Sequence, residues 1–118
     1  MTNSKPTHPE WLTIPTEPTL KKYGISLDEY LSIARRQGYK CPICGNLLHK
    51  TVHIEHEHVK GWKKMPPESR KIYVRGLVDW FCNKFYITRG ITIQRARNVV
   101  RYLEEYEKRK LDEQMEDI

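Results

Sequence analysis

His53-Ile54-Glu55-His56-Glu57-His58 is the stretch on which the reading of this chain turns. Three of the five histidines fall within these six residues and alternate with two glutamates. On a strand, successive side chains point to opposite faces, so His53, Glu55 and Glu57 share one face and His56 and His58 the other. Glutamate is depleted in strands, so strand propensity does not account for the run. A dense cluster of imidazoles and carboxylates points to a metal site, a general base, or both. A solvated strand edge is the plainer alternative, but cysteines on either side weigh against it.

The surroundings narrow the chemistry. With 118 residues the chain makes one domain, and 38% hydrophobic against 31% charged content leaves a small core that calls for a metal, a disulfide or a partner chain. No run of 18 apolar residues is present, so a membrane span is excluded, and the polar, Pro-rich N-terminus lacks a secretory signal core. Three cysteines cannot all pair, and Cys41 and Cys44 are only three apart, so metal ligation in a reducing cytoplasm is expected over disulfides. The net charge of +6 is concentrated in the middle: residues 26–90 carry twelve basic and six acidic side chains. A basic centre around a metal-type cluster points to a polyanionic substrate, most simply nucleic acid, although solubility alone also favours basic residues.

Taken in order, residues 1–19 contain four prolines and are expected to form an extended arm anchored by Trp11 and Leu12. Ser26-Leu27-Asp28-Glu29 is a capping box, with Ile25 placed to staple onto Tyr30. The helix should run to about Gln37 and stop at Gly38. Cys41-Pro42-Ile43-Cys44-Gly45 forms a zinc-type knuckle, its tight turn aiming two thiolates at one ion. Asn46 through Glu55 is expected to be a hairpin with its turn near His49-Lys50-Thr51. Val59 to Tyr73 reads as a polar loop. Its Lys60, Lys63, Lys64, Arg70 and Lys71 are interleaved with Trp62 and Tyr73, which suits a nucleic-acid backbone with exposed bases. Val74-Arg75-Gly76 is expected to turn into a short helix from about Leu77 to Lys84. That helix would place Asp79 and Cys82 on one face and Asn83 about 100° away. The longest helix is predicted from Thr92 to about Glu113, with Ile93, Ala96, Val100, Leu103 and Tyr106 on one stripe. Part of that stripe is expected to be a dimer surface, with folding back onto the first helix as the alternative.

The order Tyr23-Gly24-Ile25-Ser26, Cys41/Cys44, His53 to His58, Gly61, Val74-Arg75-Gly76-Leu77 and Cys82-Asn83 resembles the phage recombination endonuclease VII family. That family is a branch of the ββα-metal (His-Me finger, HNH-type) nucleases. The resemblance covers about residues 20–90. It implies an α+β, mainly helical fold: a nuclease core over residues 20–90 with a structural zinc knuckle, and a long C-terminal helix in residues 91–118. The family usually has Asp-His where this chain has Glu55-His56, and a second Cys-x-x-Cys whose first cysteine is here Asp79. Zinc accepts carboxylate oxygen, so Cys41, Cys44, Asp79 and Cys82 make a chemically possible site. His49 or His53 as fourth ligand, or loss of zinc, are the alternatives.

The residue types and the resemblance together assign roles. His56 is expected to take a proton from water. Glu55 and Asn83 would hold one Mg²⁺ or Mn²⁺ ion. His58 would contact phosphate or orient the site, and Arg75 would bind phosphate. The resemblance implies endodeoxyribonuclease activity on branched DNA such as Holliday junctions, with 5′-phosphate products, by a homodimeric phage protein in the host cytoplasm. A general HNH-type nicking endonuclease and a non-catalytic zinc-knuckle DNA-binding protein are the competing readings.

Overall fold

The computed structural model describes residues 8–87 and 91–116. The chain divides into two compact units, residues 1–87 and residues 88–118. The described residues form five α-helices and one two-stranded antiparallel sheet, an α+β architecture.

In the first unit, the N-terminal arm is tied down rather than free. Leu12 is buried in the core, the Thr13 amide donates to the Leu48 carbonyl (3.1 Å), and the Tyr30 hydroxyl donates to the Thr13 carbonyl (2.6 Å). Leu12 is the anchor, while Trp11 stays exposed. The arm is shorter than expected, because α1 begins at Glu17 and runs to Tyr23, with Pro18 in its first turn. Proline there loses nothing, since the first-turn amides have no intrahelical partner. Gly24 ends α1 in the left-handed region (φ 74°).

α2, Leu27–Arg36, starts as its sequence dictates. The Glu29 amide donates to Ser26 Oγ (3.1 Å) and the Ser26 amide donates to Glu29 Oε1 (2.9 Å), while Ile25 and Tyr30 are both buried. At the other end of α2, the side chain of Gln37 serves as an extra strand. Its amide nitrogen donates to the Leu77 carbonyl (2.8 Å) and its oxygen accepts from the Leu77 amide (2.9 Å).

The sheet differs from expectation. Asn46 through Glu55 is no hairpin: Leu47 makes a single bridge to Lys40, and β1, Val52–His56, pairs instead with β2, Val74–Asp79. The expectation rested on local turn chemistry, which sees only near neighbours. The Gly76-Leu77-Val78 run, fully buried in the structure, supplies a better partner for β1 from across an intervening loop. Gly76 is thus a strand residue and not a turn. A Cβ built there would lie 2.8 Å from Gln37 Oε1, the close approach that a glycine in a strand often marks. Glu55 pairs with Gly76 and His56 with Val74, so Arg75 is the extra residue of a bulge. Bulges re-aim a side chain. The helix predicted from Leu77 therefore starts later, as α4, Trp80–Phe85, with Asp79 as its N-cap.

Residues 57–73 are ordered as a 3₁₀ turn (Trp62–Lys64), the short helix α3 (Pro67–Arg70) and a second 3₁₀ turn (Lys71–Tyr73). This segment seats on α1. A Cβ at Gly24 would fall 2.1 Å from the Pro67 carbonyl oxygen, closer than any rotamer change relieves because the obstacle is backbone. Gly24→Ala therefore combines left-handed strain with a backbone clash and should destabilise the fold by about 2–5 kcal/mol, measured by urea unfolding. A loss under about 0.5 kcal/mol, the range of an ordinary surface substitution, would show that this seat does not exist in solution.

The core of the first unit joins Leu12, Leu20, Ile25, Tyr30, Ala34, Leu48, Ile54, Leu77 and Val78 to Cys41 and Cys82. In the second unit, α5 spans Ile93–Glu116, capped by Thr92 Oγ1, which accepts from the Arg95 amide (3.1 Å). Its Val99, Val100, Leu103 and Tyr106 are exposed.

Candidate metal centre and candidate active site

The knuckle and the start of α4 bring four donors together. The ligand atoms of Cys41, Cys44, Asp79 and Cys82 all lie within 4.8 Å of one another. The turn is closed by the Cys41 amide to the Asn46 carbonyl (2.8 Å) and the Gly45 amide to the Cys41 carbonyl (2.9 Å). Asp79 has two jobs. Its Oδ1 caps α4 by accepting from the Cys82 amide (2.8 Å), and its Oδ2 faces the cluster, accepting from the Cys44 thiol (2.7 Å). A carboxylate can thus stand at this position without loss of the helix start, since aspartate is among the best N-caps.

The electrostatics follow from the same contacts. The thiol of Cys44 and the amide of Cys82 hold the Asp79 carboxyl below its ordinary value. Burial pushes the Cys82 thiol well up. Burial also pushes Cys41 up, but backbone amides of Cys44, Asp79 and Ile43 outweigh it and bring that thiol below its ordinary value. A dication among these sulfurs reverses the burial penalty, because a coordinated thiol is deprotonated. Three thiols and a carboxylate converging in this way fit a four-coordinate structural metal such as zinc. The histidines considered as alternative fourth ligands are engaged elsewhere: His49 with the Leu47 carbonyl (3.2 Å) and His53 with Asn83.

The second site lies on β1. Glu55 is buried, and both its oxygens accept from Arg75, with Nε at 2.9 and 3.2 Å. The bulge at Arg75 is what turns this side chain back onto the carboxylate. Asn83 Nδ2 lies 3.3 Å from His53 Nδ1, which places the Asn83 amide against the residue two positions before Glu55 on β1. His53, which the alternation of the strand puts on one face with Glu55, has its Nδ1 on Asn83 and is not in the zinc-type cluster. A carboxylate and a side-chain amide are the oxygen donors that hard divalent cations take, so their chemistry fits Mg²⁺ or Mn²⁺.

His56 is packed among rings. Trp62 stacks on it at 4.3 Å and 20°, His58 is at 4.6 Å and Tyr23 at 5.5 Å between ring centroids. Burial, then the neighbouring His58, lowers its pKa from the ordinary 6.5, against an opposing pull from Glu55. His56 therefore lies within the field of Glu55, and the lowered pKa favours its neutral form.

The basic residues divide. Lys60, Lys63 and Lys64 are exposed. Lys71 pairs with Glu29, and Arg75 with Glu55. Arg70 donates to the carbonyls of Trp62 (3.1 Å), Lys22 (2.9 Å) and Lys63 (3.0 Å), so it braces the segment it belongs to.

This order of knuckle, His/Glu strand, Arg-Gly-Leu strand and Cys-Asn helix matches the profile described as recombination endonuclease VII over residues 16–105. The chain belongs to the recombination endonuclease VII family. The match begins just before α1 and runs into α5, across both units. Among curated relatives, this endonuclease VII family member is similar to the Gene 59 protein of Mycobacterium phage D29, with 34% identity over 70 residues, 58% of this chain and 36% of the relative. It is also similar to the Gene 59 protein of Mycobacterium phage L5, with 37% identity over 68 residues, 56% of this chain and 35% of the relative. The matched part thus spans about a third of the length of these relatives. No solved structure matches. No helix among the described residues is long and apolar enough to cross a membrane.

Proposed function

We propose that this endonuclease VII family member is a metal-dependent DNA endonuclease that cuts branched DNA, four-way (Holliday) junctions included, leaving 5′-phosphate ends. The observation that carries this reading is the half-buried His56 imidazole, stacked on Trp62 and following the buried Glu55 carboxylate on a strand paired to the one that leads into the Asn83 helix. β1, β2 and α4 then serve as the ββα-metal core. Neutral His56 removes a proton from the attacking water. Glu55 and Asn83 would hold a divalent cation, which would supply charge stabilisation for phosphodiester cleavage. Arg75 gives up part of its hold on Glu55 and turns to the phosphate, while His58 lies beside His56 to contact it. Lys60, Lys63 and Lys64 meet the DNA backbone and give binding that weakens with salt. Cys41, Cys44, Asp79 and Cys82 would hold zinc, which would fix α4, and with it Asn83, against β1.

Paired cuts on opposed strands need two active sites, which a two-fold dimer supplies. The exposed stripe of α5 around Val100 and Leu103 is the proposed dimer surface, and the host cytoplasm the proposed compartment. The deciding experiment compares cleavage of a four-way junction and a linear duplex with Mg²⁺ while oligomeric state is followed by sedimentation. A dimer making paired cuts at the junction is expected, and Val100 and Leu103 replaced by charged residues should give monomers that only nick. A wild-type monomer that nicks both substrates equally would leave a general HNH-type nickase, and binding without any cut would leave a zinc-knuckle DNA-binding protein.

A further inference from the structure

The segment between β1 and β2 looks in sequence like a basic DNA-binding loop, yet two of its side chains, Trp62 and Arg70, turn inward. Trp62 is 9% exposed and stacks face to face on His56 at 4.3 Å. Tyr23, from the end of α1, closes on both rings, at 5.5 Å from His56 and 5.7 Å from Trp62. Arg70 holds the indole from its own side, with its guanidinium 4.4 Å from the ring centroid and its N–H groups on three carbonyls of Trp62, Lys63 and Lys22. The last of these ties the segment to α1 one residue before Tyr23.

The indole also carries a cost. Its Nε1 is buried with no hydrogen-bond partner among the described residues, a penalty that a phenyl ring would avoid. Stability alone does not explain a tryptophan here, whereas a broad flat face against an imidazole does. Reacting groups must be held in near-attack geometry by side chains whose own rotamers are locked.

We infer that Trp62, braced by Arg70, is a positioning residue for His56. This rests on His56 being the base of the proposed cleavage. Trp62 touches neither substrate nor metal in this role; it acts by restricting the imidazole to one orientation. Loss of the ring should therefore reduce turnover and leave DNA affinity alone.

The test uses the full chain with junction DNA and Mg²⁺, and three variants: Trp62→Ala, Trp62→Leu to fill the volume without a ring, and Trp62→Phe to keep a ring. The Ala and Leu variants should lose about 10- to 100-fold in kcat with KM within about threefold, and Phe should restore most of the rate. Arg70→Lys, which keeps the charge but not the three-way fork, should lose kcat in the same sense. In a His56→Ala background, Trp62→Leu should cost nothing further, because residues acting through one another are not additive. A readout independent of cleavage is the proton spectrum of His56: the stacked indole should shift its ring signals upfield in wild type, and Trp62→Leu should remove the shift. An additive loss in the double variant, or no ring-current shift in wild type, overturns the inference while leaving the nuclease reading in place. If His56→Ala cuts like wild type, the base assignment fails and the positioning role falls with it.

Discussion

Replacement of His56 by alanine should slow cleavage by about 10²–10⁴-fold, the usual loss when a general base is removed, and leave DNA binding nearly unchanged. Binding should be unaffected because affinity for DNA rests largely on cations, and the proposed contacts Lys60, Lys63 and Lys64 remain in place. The size of the loss follows from where His56 sits. Its packing against Trp62 and Tyr23 favours the neutral form, and neutral imidazole is the form that accepts a proton. Cleavage should accordingly fall as pH falls, with its half-maximal point below 6.5, since the pKa is lowered from that value. Single-turnover rates across pH, with filter binding in parallel, check both statements. A variant that cuts within about tenfold of wild type would remove His56 from the chemistry.

Loss of the metal should be the most damaging event for the fold. Cys41 and Cys82 are both core residues, at 1% and 0% exposure, so the centre is part of the small hydrophobic core and not an appendage to it. Binding of structural zinc is worth about 10–16 kcal/mol in small zinc domains, comparable to or larger than the whole stability of a typical domain. Cys82→Ser, or exhaustive chelation, should therefore unfold the first unit, seen as lost near-UV dichroism and a collapsed melting transition. Elemental analysis should find about one zinc per chain, the occupancy of a closed four-ligand site. Asp79→Asn separates the two jobs of that residue: asparagine still caps a helix, but its neutral amide is a poorer ligand. That variant should keep α4 and bind zinc more weakly. A folded, active protein with far less than one zinc per chain would show that Asp79 marks a lost site.

Much of the molecule was legible from local pattern. The capping box at Ser26, the tight turn at Cys41 and Cys44 and the long C-terminal helix each depend on contacts within a few residues, and each is in place. Of the His/Glu run, only the part up to His56 lies in β1. α1 was missed because the prolines of residues 1–19 favour an extended arm, and only the position of Pro18 in a first turn reconciles it with a helix. The partner of β1 was misplaced. A strand pattern states which face is buried but not which strand pairs with it, and that choice is made by total burial across the chain.

By itself, then, the sequence determined the ligand types, their spacing and the family. Tertiary structure alone decided that Gly76 is a strand residue, that Asp79 caps a helix with one oxygen and faces the thiols with the other, and that Arg75 bulges out to meet Glu55. It also decided that Trp62, in a segment rich in lysine and arginine, turns inward onto His56. The reason is common to all four. Each depends on groups brought together from distant parts of the chain, and the free energy of such contacts is shared among partners that no local window contains.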